Sequence, residues 1–164
     1  MTTAGIEEAA ARLVAAHRVV IVPGYGVAVA QAQHELARLA DSLRRRGAEV
    51  TVAVHPVAGR VPGHLDVLLD AAGVPWSARR DLDTVAFDAG SVALVVGAND
   101  VVNPALAMPV LEVTDAGAVV VFIDSTGPGF AGAVNPLFKT ATVLLGDAGD
   151  LLREAEKAIA YQPD

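Results

Sequence analysis

The sequence predicts an α/β domain: a doubly wound, mostly parallel sheet with helices on both faces. Three observations lead there. Short β-branched runs alternate with amphipathic segments of helical spacing along the chain. The runs are apolar throughout, as in strands covered on both faces. Each run ends in a stretch rich in glycine or proline. At 164 residues the chain is long enough for one such domain and short for two ordinary ones, so a single unit over 1–164 is expected.

Thr2 or Thr3 caps a first helix, with Ile6, Ala10, Leu13 and Val14 at helical spacing, that ends near His17. Residues 18–23 form a short buried strand closed by Pro23 and Gly24. Residues 27–46 read as one helix, with Val29, Leu36, Leu39 and Leu43 on a stripe and Gln31, Gln33, Glu35 and Arg38 off it. Arg44, Arg45, Arg46 and Gly47 supply the cations and the glycine that end a helix. A second strand spans 49–55, a short helix 62–72 and a third strand 90–97. Two more strands span 118–123 and 141–145, and a closing helix over 147–161 is capped by Asp147 or Asp150. Strands joined through helices imply right-handed crossovers and parallel pairing.

Charge and composition narrow the function classes. Nineteen acidic against twelve basic side chains leave −7, which repels phosphate backbones and anionic headgroups, so no nucleic-acid partner is expected. Without cysteine there is no disulfide framework, thiol nucleophile or thiolate metal site. The apolar run 19–30 is broken by Pro23, Gly24 and Gly26 and is too short for a bilayer, so direct membrane insertion is not expected. Residues 1–11 lack a basic region and carry Glu7 and Glu8, unlike a secretory signal. A cytoplasmic protein is the expectation.

In such sheets ligands bind beyond the carboxyl ends of the strands. After the first strand come Gly24, Tyr25, Gly26, Val27 and Ala28, a glycine turn opening a helix, where amides and dipole favour a pyrophosphate. A plain structural turn remains the alternative, because Val29 occupies the third fingerprint position and His55, not an acid, ends the second strand. His55, Pro56, Val57, Ala58, Gly59, Arg60, Val61 and Pro62 form a loop stiffened by prolines, with one guanidinium, and His64 follows. The two histidines stand too far apart, without cysteine, to predict a metal site, and none is expected. Arg60 is either a ligand clamp or a solvated loop arginine.

Gly97, Ala98, Asn99, Asp100 and Val101 place amide and carboxylate groups at the third strand end. Asp124, Ser125, Thr126, Gly127, Pro128, Gly129 and Phe130 give a long loop suited to folding over a ligand. Turn formation and an ordinary surface loop are the respective alternatives. No serine has a sequence-evident histidine partner, and Gly-x-Ser-x-Gly is absent. What remains is a cradle without evident acid–base apparatus, which suffices where hydride passes directly between two nicotinamides.

Read in order, these loops resemble the NADP(H)-binding domain of proton-translocating nicotinamide nucleotide transhydrogenase, domain III, the carboxyl-terminal part of its beta subunit. The resemblance covers residue 19 to about residue 158. It is carried by Val22-Pro-Gly-Tyr-Gly-Val-Ala-Val-Ala-Gln-Ala-Gln-His34, His55-Pro-Val-Ala-Gly-Arg-Val-Pro-Gly-His64 and Gly97-Ala-Asn-Asp100. It implies a Rossmann-like fold that binds its nucleotide in reverse orientation and presents the nicotinamide to a separate NAD(H)-binding partner domain. Carried over position by position, Tyr25, Val57 to Pro62 and Gly97 to Val101 contact the dinucleotide. Asp100 takes the place of an aspartate near the nicotinamide and is the one catalytic candidate. Ala107 and Met108 match a further contact pair, Ser125 to Phe130 the closing loop, and Asp147 and Ala148, after Gly146, the adenosine end. Phe130 replaces a tyrosine.

The departures bear on the cofactor. Where the family has Lys-Arg-Ser, this chain has Ile123, Asp124 and Ser125, so a carboxylate replaces the arginine that grips the 2′-phosphate of NADP. A family lysine is here Gly149, and no Lys or Arg occurs from 81 to 138. Two like charges about 4 Å apart repel by about 4 kcal/mol at an effective dielectric near 20. A strand-end aspartate instead accepts hydrogen bonds from a ribose diol, so NAD(H) is expected over NADP(H); the alternative is a solvated loop aspartate in a domain whose Arg60 still manages the phosphates. The connection between Pro104 and Met108 is about ten residues shorter than in the family; with no membrane helix ahead of residue 1 in this sequence, either an excised domain or a free-standing relative is expected, Met1 and the short amphipathic start favouring the latter. Two other readings stay open. One is a stand-alone oxidoreductase or nucleotide-modifying enzyme using Asp100, His55 or Arg60; the other is a non-catalytic nucleotide sensor. Oligomeric state is not legible.

Overall fold

The apolar residues decide which segments become strands and which faces the helices bury. The computed structural model describes residues 3–24, 27, 30–54, 64–81, 91–96, 118–123, 142–145 and 147–161. In order these form α1 (Thr3–Ala15), β1 (Arg18–Pro23), α2 (Gln33–Arg45), β2 (Glu49–Val54), α3 (His64–Ala71), a 3-10 turn (Trp76–Ala78), β3 (Arg79–Asp81), β4 (Ser91–Val96), β5 (Ala118–Ile123), β6 (Thr142–Leu145) and α4 (Ala148–Ala160). All strand pairs are parallel, and one six-stranded sheet runs β3-β2-β1-β4-β5-β6. This is the α/β, Rossmann-like sheet that the alternation of segments predicts.

Each of the five expected strands is present within a residue or so of its predicted bounds. Val19 to Pro23 and all of β4 are buried. Successive side chains point to opposite faces, so unbroken burial means that both faces of these central strands are covered. The sixth strand, β3, was not legible: three residues, two of them arginine, carry no strand pattern. It lies at the sheet edge, where short charged strands discourage pairing with another chain. Arg79 is buried there and donates to Asp70 Oδ1 at 2.6 Å and to the Val74 carbonyl at 2.5 Å, tying the turn after α3 to the edge.

The helices form where apolar residues recur every three or four positions. In α1, Ile6, Ala9, Ala10 and Leu13 are buried, and the helix packs against α4 and β6. In α2, Leu36, Leu39 and Leu43 are fully buried, each contributing about 1.5–3 kcal/mol of apolar transfer. Helix α4 packs against both α1 and α2 and buries Leu151, Leu152, Ala155 and Ile159. Gly47 and Gly73 have φ of +95° and +82°. After α2, Ala48 N–H donates to Leu43 O, and after α3, Val74 N–H donates to Leu69 O, so left-handed glycines close both helices.

The expected single helix over 27–46 is corrected. Helix α2 begins only at Gln33; Val27 is helical, but Gln31 has φ of +54°, a left-handed conformation that an α-helix cannot contain. Ala32 N–H donates to Val27 O at 3.0 Å, the long-range bond that closes a helical turn around a left-handed residue. Val27 and Ala32 are both fully buried, as this closure favours. The apolar period survives on both sides of the break, which is why the sequence reads as one helix. Gln33, expected off the apolar stripe, is buried; Val29 lies outside the described residues.

Candidate functional site

The carboxyl ends of the strands lie level. Pro23 pairs with Val96, Val96 with Phe122, and Ile123 with Leu145. Ile21 pairs with Val52, which brings Val54 beside Pro23 two residues on. The strand order reverses between β1 and β4, and a crevice for a ligand opens at such a point. Gly24 is buried and its N–H donates to the Val96 carbonyl at 2.9 Å, binding the chain leaving β1 to the end of β4. Val27 N–H donates in turn to Gly24 O at 3.0 Å. Gly24 and Val27, the described residues of the expected glycine turn, therefore stand at the reversal point.

Among the other expected site residues, Asp147 and Ala148 open α4 at the end of β6. Tyr25, Gly26, Ala28, His55, Val57, Ala58, Gly59, Arg60, Val61, Pro62, Gly97, Ala98, Asn99, Asp100, Val101, Ala107, Met108, Asp124, Ser125, Thr126, Gly127, Pro128, Gly129, Phe130 and Gly146 lie outside the described residues. In sequence, those at 25–28, 55–62, 97–101, 124–130 and 146 follow the ends of β1, β2, β4, β5 and β6.

The start of α4 is bound up in side-chain contacts. Asp147 takes extended backbone angles and its Oδ2 accepts from Asp150 N–H at 3.1 Å, which makes it the cap. Arg153 pairs with the Asp150 carboxylate and reaches Glu35 Oε1 at 3.7 Å; Arg38 donates to the same Glu35 oxygen at 3.1 Å. A Cβ added at Gly149 would lie 3.2 Å from Asp147 Oδ2, 3.4 Å from Arg153 Nη1 and 3.7 Å from Glu35 Oε2. The ion-paired side chains thus close over Gly149 and link α4 to α2. Arg153, the cation nearest the start of α4 among the described residues, is held between two carboxylates.

Sequence reasoning missed two features of this edge. The Arg153–Glu35 pair joins helices distant in sequence, and only its Asp150–Arg153 half shows the i,i+3 spacing of a helical ion pair. Gln33 was assigned to the polar face, yet it is 7% exposed and its Oε1 has no hydrogen-bond partner among the described residues. No pattern in the sequence marks that burial. Among the described residues no helix is long and apolar enough to cross a membrane.

Comparison with known proteins places this geometry in a family. The solved structure described as "Structural Basis for the Mechanism and Regulation of Sir2 Enzymes" superposes with a TM-score of 0.51 at 13% identity, covering 96% of this chain and 98% of that one; it bears on the fold alone. Two curated sequences from Rhodospirillum rubrum, each an NAD(P) transhydrogenase subunit beta, are 44% identical over 166 residues, covering 93% of this chain. The chain spans 36% of the length of these relatives. The family model of the NAD(P) transhydrogenase beta subunit matches residues 1–158. With its parallel sheet and the glycine turn at the reversal point, this chain belongs to the NAD(P) transhydrogenase beta-subunit family.

Proposed function

We propose that residues 1–164 form one nicotinamide-dinucleotide-binding unit that presents a bound nicotinamide for hydride transfer with an NAD(H)-binding transhydrogenase-like or other redox partner in the cytoplasm. The observation that carries this reading is the match of 44% identity over 93% of the chain to transhydrogenase beta subunits. The level strand ends, with Gly24 bonded across to Val96, support it, because a dinucleotide requires a backbone able to approach it at that point. The nicotinamides supply the hydride chemistry when bound. The protein's part is to bind and orient, with Gly24 to Ala28, His55, Val57 to Pro62, Gly97 to Val101, Ala107, Met108, Asp124 to Phe130 and Gly146 to Ala148 as its contacts and Asp100 nearest the reacting end.

The cofactor in this reading is NAD(H) over NADP(H), because Asp124 stands where a guanidinium would neutralise a 2′-phosphate. The start of α4 supports the same preference, since the guanidinium of Arg153 is already shared by Asp150 and Glu35. Calorimetric titration of the purified chain with NAD⁺, NADH, NADP⁺ and NADPH in one buffer tests it. The expected ranking has the unphosphorylated pair tighter by about tenfold or more, with Asp124→Arg shifting the ratio toward NADP(H). Tighter binding of NADP(H) by the unaltered chain overturns the preference, and binding of none overturns the reading.

A further inference from the structure

We propose that Gln33 is a nucleotide-binding residue, its side-chain amide completed by a neutral group of the ligand that donates a hydrogen bond. This inference rests on the dinucleotide-binding reading and adds to it a contact outside the glycine turn and the strand-end loops. The chain of observations starts at the strand edge. Gly24 N–H donates to Val96 O, Val27 N–H to Gly24 O, and Ala32 N–H to Val27 O, at 2.9, 3.0 and 3.0 Å. These bonds tie the amino-terminal end of α2 to the point where strand order reverses. Gln33 is the first residue of that helix, and side chains on a helix lean toward its amino terminus, here back toward the glycine turn.

Gln33 is 7% exposed, and Oε1 is buried with no hydrogen-bond partner among the described residues. Buried amide oxygens in native proteins are almost always hydrogen-bonded, and an orphan points to a group that arrives with a ligand. The chemistry of the missing partner follows from the atom. A carbonyl oxygen accepts, so it needs a donor, and the oxygens of a pyrophosphate diester at neutral pH only accept. A ribose hydroxyl, the adenine amino group or the carboxamide of nicotinamide supplies the N–H or O–H.

The test uses the full chain and two readouts of opposite sign. Gln33→Met keeps the volume and removes the orphaned amide. For a binding residue, the thermal midpoint without nucleotide rises by about 2 °C or more while NAD⁺ affinity falls about tenfold or more. Unchanged NAD⁺ affinity in a folded variant overturns the inference while leaving the dinucleotide-binding reading intact; failure of the unaltered chain to bind NAD⁺ overturns both. A second measurement needs no variant. The chain has three glutamines, Gln31, Gln33 and Gln162, so glutamine-selective ¹⁵N labelling resolves the Gln33 side-chain amide. A shift on saturation with ADP-ribose assigns the partner to a ribose hydroxyl or the adenine amino group, and a shift with NAD⁺ but not with ADP-ribose assigns it to the carboxamide. An unmoved signal with both ligands bound overturns the inference.

Discussion

Helices α2 and α4 follow β1 and β6 at the carboxyl edge of this sheet, and they meet the demands of a helix start in opposite ways. At α4, exposed Asp147 accepts from Asp150 N–H, and Arg153, Asp150 and Glu35 close over the first turn. At α2, fully buried Ala32 has φ of −98° and ψ of 13° and no capping side chain, and the chain arrives through left-handed Gln31. The first four N–H groups of any helix lack intrahelical acceptors. One start answers with its own carboxylate at the surface; the other is held by the backbone bond from Ala32 to Val27 and buries an amide beside it. The contrast separates a start completed by the chain's own side chains from one with hydrogen-bonding capacity to spare where strand order reverses.

Exchanging the two solutions should break this contrast most severely. Ala32→Asp places at α2 the residue that caps α4, but at a fully buried site and with ψ of 13° where a capping aspartate takes extended angles. A buried carboxylate without a partner should cost more than about 3 kcal/mol, read by urea denaturation. A loss under about 1 kcal/mol would show that water reaches this helix start. The converse change is milder. Asp147→Ala should cost about 1 kcal/mol by removing the acceptor for Asp150 N–H, and a null effect would mean that solvent replaces the cap at no cost.

The same contrast governs what was legible in the sequence. The cap at α4 was readable because Asp147 precedes an apolar period, and Gly47 was readable as a helix stop. Strand β4 announced itself through Val92 to Val96. The break at Gln31 was hidden, because a left-handed residue that is not glycine gives no compositional sign and the apolar period continues across it. Edge strand β3 was hidden because its pairing with β2 comes from the register at Val52 and Arg79, and its own residues have no alternation. Of the candidate site, the position of Gly24 and Val27 at the end of β1 was legible, since a strand ending in Pro-Gly fixes where the chain must turn. The burial of Gln33 was out of reach, because it depends on packing from elements distant in sequence.

The smallest expected effect sharpens the comparison furthest. Glycine inside a helix costs about 1 kcal/mol relative to alanine, so Gly149→Ala at the second position of α4 should gain about that much where space allows. Space is what the closed start denies. The new Cβ would meet Asp147 Oδ2 at 3.2 Å and Arg153 Nη1 at 3.4 Å, and the first of these is the cap itself. Relieving that contact moves the capping oxygen and gives back part of its contribution, so Gly149→Ala alone should change stability by less than about 0.5 kcal/mol. With Asp147 already replaced by alanine the obstruction is gone, and the same substitution should stabilise by about 0.5–1 kcal/mol. The cycle of single and double variants reads that difference as a coupling energy. A coupling near zero would mean that the carboxylate is not held against Gly149, and the start of α4 would then be as uncommitted as the start of α2.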